Sequence, residues 1–148
     1  MAKMNSKFKY MYDAAPASAL IVKDHVAKTA SFNGPAITLD KVGGYWNAED
    51  PILADSTVAI AINVEAADKT TGDETYTIEL EAGPVGFATS IKTGKVTVPG
   101  PGQYVILVDF DTLKAQKPDV AAIRLAATLA GTTPSITAHA WIAGKIIR

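Results

Sequence analysis

From residue 18 to residue 148 the chain consists of short runs in which apolar and polar residues alternate, each closed by Gly, Pro, Asp or Thr. A period of two sends successive side chains to opposite faces of an extended backbone, so this rhythm predicts half-buried strands. The cleanest instance is Val58, Ile60, Ile62 and Val64 alternating with Ala59, Ala61, Asn63 and Glu65. Tyr76, Ile78 and Leu80 then alternate with Thr75, Thr77, Glu79 and Glu81. Between the two runs, Lys69-Thr70-Thr71-Gly72-Asp73 reads as a turn, which predicts an antiparallel hairpin. Tyr104, Ile106, Val108 and Phe110 form a further alternating set, entered from Pro99-Gly100-Pro101-Gly102, a turn that fits neither a helix nor a ladder interior.

The remaining runs are less regular. Strands are predicted over residues 19–26 and 37–39, the second after the Asn33-Gly34-Pro35 turn. Gly94 is predicted to bend the chain between two short strands, one near residues 90–92 and one over residues 95–98. Residues 43–55 read as a long irregular connection, and residues 111–120 as a loop with room for a single helical turn before Pro118. Ile123, Leu125, Ala127 and Leu129 oppose Arg124, Ala126 and Thr128, which reads as a strand despite its Ala and Leu content. Gly131-Thr132-Thr133-Pro134 separates it from a last strand over residues 136–147, so these two are also expected to form a hairpin. About eight strands and no long helix predict an all-β fold, a jelly-roll-like two-sheet β-sandwich of antiparallel strands spanning residues 18–148. An immunoglobulin-like sandwich is the nearest competitor, although its usual Cys pair is absent.

Residues 1–17 break the rhythm. Lys3, Lys7 and Lys9 are interleaved with Met4, Phe8, Tyr10, Met11 and Tyr12, and Ala14 to Pro16 close the segment as a linker. This is the composition of a flexible N-terminal arm able to dock on an acidic neighbour while burying its aromatics. Lys3, Lys7, Phe8, Lys9, Tyr10 and Tyr12 are its candidate contact residues.

Composition narrows the chemistry. At 148 residues the chain suffices for one domain, able to bury roughly two-thirds of its unfolded surface. With 48% hydrophobic and 20% charged residues it is too apolar to remain unfolded. The absence of Cys removes disulfides, thiolate nucleophiles and Cys-based metal sites. Fourteen basic residues against 15 acidic ones give a net charge of −1, with no general attraction to nucleic acid or anionic lipid. No run approaches the ~20 apolar residues of a membrane span, and the N-terminus lacks the apolar centre of a secretory signal, so synthesis in the cytoplasm is expected.

No catalytic constellation emerges. His25 and His139 stand outside any metal-ligand spacing, and His139 shares the Thr137–His139–Trp141 face of the last strand, an exposed or interfacial setting. Asp109 and Asp111, flanking Phe110, are two carboxylates that one strand face could offer to a hard cation or to acid–base work, or that enter solvent at a strand end. There is no nucleophile elbow, phosphate loop or dinucleotide fingerprint. The expectation is a protein that is not an enzyme and has no cofactor, metal or catalytic residue. Tyr45, Trp46 and Trp141 are candidate interface or ligand aromatics, suited either to a subunit contact or to stacking on sugar rings.

The succession of these features resembles the jelly-roll capsid cement, or decoration, proteins of tailed bacteriophages, of the Bordetella podovirus type. The resemblance runs from the lead ending in Asp13-Ala14-Ala15 and the early strand Ala19-Leu20-Ile21-Val22 through Val58–Val64 with Tyr76–Leu80. It continues with Pro99-Gly100-Pro101-Gly102-Gln103-Tyr104 into Val105-Ile106-Leu107, and with Arg124–Ala127 and Ile136–Ala140. The lysine-rich extension before Asp13 and the Gly43-Gly44-Tyr45-Trp46 segment depart from it. The resemblance implies a structural virion protein on the outer surface of the assembled head, a homo-oligomer (dimer or trimer) that bridges major capsid subunits. The alternative is a carbohydrate-binding β-sandwich on a virion surface, using Tyr45, Trp46 or Trp141.

Overall fold

The computed structural model describes residues 26–38 and 56–147. They form eight strands and one short helix: β1 (Phe32–Asn33), β2 (Ile37–Thr38), β3 (Ser56–Ala67), β4 (Thr75–Gly83), β5 (Ile91–Thr97), β6 (Gly102–Asp109), α1 (Phe110–Gln116), β7 (Ala122–Ala130) and β8 (Ile136–Ile147).

The strands make two antiparallel sheets. In one, β1 and β2 both pair with β7, followed by β4 and β5; in the other the order is β6-β3-β8. β1 and β2 act as one strand interrupted at Pro35, which has no N–H for the ladder, while the Gly34 N–H donates to the Leu125 carbonyl at 2.8 Å. Counted this way, an order of 2-7-4-5 faces 8-3-6, the interleaved order of a jelly roll. The remaining position flanks β8, where Lys28 and Ile136 exchange backbone hydrogen bonds of 2.8 and 2.9 Å in an antiparallel bridge.

This topology corrects both predicted hairpins. β3 pairs with β6 and β8, not β4, and β7 pairs with β4 and the β1–β2 strand, not β8. Residues 68–74 and 131–135 cross from one sheet to the other. β4 and β5 make the one hairpin between consecutive full-length strands, carrying a register shift between Ile78 and Leu80. The bend at Gly94 falls inside that single strand β5, where two short strands were expected. Gly94 has φ +66, and a Cβ there would lie 2.5 Å from Ile106 Cγ2, so only glycine lets β5 fold this closely over β6.

The core lies between the sheets, as the alternation requires. Ile60, Ile62, Val64, Ile106, Val108, Ala138 and Ala140 from β6-β3-β8 meet Tyr76, Ile78, Leu80, Ile123, Leu125 and Ala127 from the larger sheet. Full burial of each Ile or Leu is worth about 1.5–3 kcal/mol.

The other correction is α1. The chain turns helical at Phe110, which was expected to continue the strand ahead of a loop with room for one helical turn, because Asp109 caps the first turn. Its carboxylate accepts from the Asp111 N–H at 3.2 Å and the Thr112 hydroxyl at 3.3 Å. Leu113, 2% exposed, then packs into the core.

Candidate functional site

The two outer faces of the sandwich differ in chemistry. On the larger sheet, Glu79 and Glu81 of β4, Lys92 of β5 and Arg124 of β7 share the outward positions. Residues 84–90 fold over this face. Gly86 (φ +91) and Phe87 (φ +57) turn the loop back, and Phe87 packs 4.1 Å from the Arg124 guanidinium. Arg124 Nε donates to Glu81 at 2.5 Å, and the Ser90 hydroxyl donates to the other Glu81 oxygen, also at 2.5 Å. The hydrogen bond from Arg124 holds the Glu81 carboxyl below its ordinary value, outweighing the opposing effect of burial. Every charge of this buried pair is matched locally, leaving little for a partner to complete.

One end of the sandwich is occupied by a second matched network. Asp68 accepts from the Thr70 hydroxyl and N–H, Asp73 from the Thr132 hydroxyl and N–H, and Glu74 from the Thr71 and Thr133 hydroxyls and the Gly72 N–H. These bonds lower all three carboxyls, the threonine hydroxyls foremost. Tyr76 completes the tie: its hydroxyl donates to the Asp68 carbonyl at 2.6 Å and accepts from the Ser135 N–H at 3.0 Å. Among the described residues, no group of three His, Asp or Glu side chains could hold a metal ion. Asp109 and Asp111 do not share a strand face, since Asp109 ends β6 and Asp111 lies in α1.

The outer face of β6-β3-β8 has the opposite character. Ala61 of β3 lies between Val105 of β6 and Trp141 of β8, Ala59 lies beside Leu107, and Asn63 lies between Gln103 and His139. Val105 is 56% and Leu107 67% exposed. The two alanines make the centre of the sheet low, with larger apolar side chains on either side. Trp141 stacks on His139 with ring centroids 5.3 Å apart and planes 22° from parallel. His139 Nδ1 lies 3.3 Å from Glu65 Oε1 at one end of this face.

No family model matches the chain, and no curated protein matches it. Function is therefore read from the surfaces themselves, and the neutral face of β6-β3-β8 is the candidate site.

Of the residues predicted from sequence, Trp141 stands on this face, half-buried and next to His139, as the alternation of the last strand required. Lys3, Lys7, Phe8, Lys9, Tyr10, Tyr12, His25, Tyr45 and Trp46 lie outside the described residues. Val105 and Leu107 were not singled out, although the unbroken apolar run Tyr104–Val108 carried the signal: alternation sends half of such a run outward. No described helix is long and apolar enough to cross a membrane.

Proposed function

We propose that this chain is a capsid decoration protein, a cement subunit that binds the outside of an assembled bacteriophage head and bridges neighbouring major capsid subunits. The observation that carries the reading is the neutral outer face of β6-β3-β8 on a small jelly roll, where Val105, Leu107, Ala59, Ala61 and Trp141 form an apolar surface. The likeness of the strand sequence to phage cement proteins supports it. A subunit that binds only the assembled lattice stabilises that lattice by mass action, and homo-oligomers engaging several lattice sites at once multiply the effect. In this reading the lysine and aromatic residues of positions 3–12 form a second contact, with acidic groups of the capsid.

Co-sedimentation of the purified protein with heads that lack it tests the proposal. Saturable binding to assembled heads and none to free capsid subunits is expected, and absence of binding to heads overturns it. Deletion of residues 1–12 is expected to weaken that binding; unchanged binding removes the arm from the contact.

The stacked Trp141–His139 pair favours one other reading, a carbohydrate-binding module that lays a sugar ring on the half-buried indole. A glycan array signal lost in Trp141→Ala, with binding to heads intact, would select it.

A further inference from the structure

The two edge strands on the same side of the sandwich, β5 and β6, are finished differently. β5 has the features that keep sheet edges from pairing: exposed Lys92 and Lys95, a bulge, and Gly94 in a left-handed conformation. β6 has neither a lysine nor a bulge, and its one positive-φ glycine, Gly102 (φ +153), is its first residue. Its eight residues pair with β3 without a register shift, no charged residue occurs before Asp109, and its outward positions are Gln103, Val105, Leu107 and, at its end, Asp109. Among the described residues nothing pairs with its second edge.

We propose that this edge is a self-association surface, and that its occupant is β6 of a second copy, paired antiparallel across a two-fold axis. The two sheets β6-β3-β8 would then join into one continuous six-stranded sheet. Only an extended backbone can satisfy a row of strand N–H and C=O groups, and an antiparallel strand pair is compatible with a two-fold axis. Charge favours the same copy as the partner. With the axis beside Ile106, Val105 meets Leu107 of the second copy and Gln103 meets its Asp109, so no like charges face each other. The joined sheets would also extend the neutral outer face across both subunits. This inference supplies the surface for the homo-oligomer proposed above, but it concerns the free protein and does not depend on binding to heads.

The test is sedimentation equilibrium of the full chain from ~1 to ~100 μM, alongside Leu107→Lys and Val105→Lys. Both substitutions are at exposed positions, so a cooperative thermal transition is expected to show that the variants fold. The wild type is expected to form dimers, each lysine to weaken them by at least about tenfold, and amide exchange across residues 102–109 to slow as dimers form. A wild type that stays monomeric, a trimer, or a dimer indifferent to both lysines overturns the proposal. Because heads are not used, failure here is distinguishable from failure of the decoration reading, which the co-sedimentation assay reports separately.

Discussion

At the scale of single residues, stability depends on a few positions where the backbone or a charge has one solution. Gly94 is one and Gly131 another: at Gly131 (φ +115) an added Cβ would lie 2.7 Å from the Glu74 Cα and 2.9 Å from the Asp73 carbonyl oxygen. Gly94→Ala is expected to lower unfolding free energy by about 2 kcal/mol or more, combining left-handed strain with the clash against Ile106. Urea denaturation reads this directly as a lower midpoint. Glu81 gives the pH dependence. Its carboxyl is lowered in the folded protein, so the unfolded chain binds the proton more tightly and stability rises with pH through that range. The contribution is present above the ordinary value of 4.5 and is lost as pH falls through the lower, folded value. Thermal melts of Glu81→Gln against the wild type should therefore differ most near neutral pH and converge in acid; a constant gap down to pH ~2 would contradict the assignment.

At the scale of elements, Tyr76 shows how the crossings between sheets are held. Its hydroxyl joins residues 68–74 to residues 131–135, and Tyr76→Phe is expected to cost about 1–2 kcal/mol, measurable by chemical denaturation, since it leaves the Ser135 N–H without that acceptor. These crossings are also where sequence reasoning failed. Alternation in Ile60–Val64 and Tyr76–Leu80 correctly assigned which side chains face the core, because burial is decided residue by residue. It could not assign partners, because a turn such as 69–73 looks locally the same whether it joins strands of one sheet or carries the chain to another. α1 was hidden for a different reason: Asp109 ends a strand and caps a helix at once, so its carboxylate read as a strand-end charge. The cap, the acid at Asp111 and the stop at Pro118 were all visible as a helix signature. Asp109→Ala should cost about 1 kcal/mol, seen as a lower melting temperature. Of the candidate site, the Thr137–His139–Trp141 face was legible from period two, whereas Val105 and Leu107 gained meaning only once β6 was placed at an edge.

At the scale of the whole molecule, one sheet presents a charged face closed by its own loop, and the other a neutral face open to solvent. Under the decoration reading, Trp141→Glu should weaken binding to heads at least about tenfold by placing a charge on the apolar surface, while Lys92→Glu on the opposite face should leave it unchanged. Co-sedimentation titrations of the two variants separate these outcomes; equal losses would show that the open face is not the one that docks.

The central position of β3 also governs when the molecule can fold. Both of its neighbours, β6 and β8, come later in the chain, and β8 ends 80 residues after β3 ends (147 − 67). At about 5–20 residues per second, a ribosome holds Ile60, Ile62 and Val64 without their full sheet for about 4–16 s. Among the described residues, the strand at the heart of the neutral sheet is thus the first long one made, and it waits for the last one to complete its pairing. Completion of this sheet must await β8, and chains released before it is made would expose Ile60, Ile62 and Val64 without their full sheet.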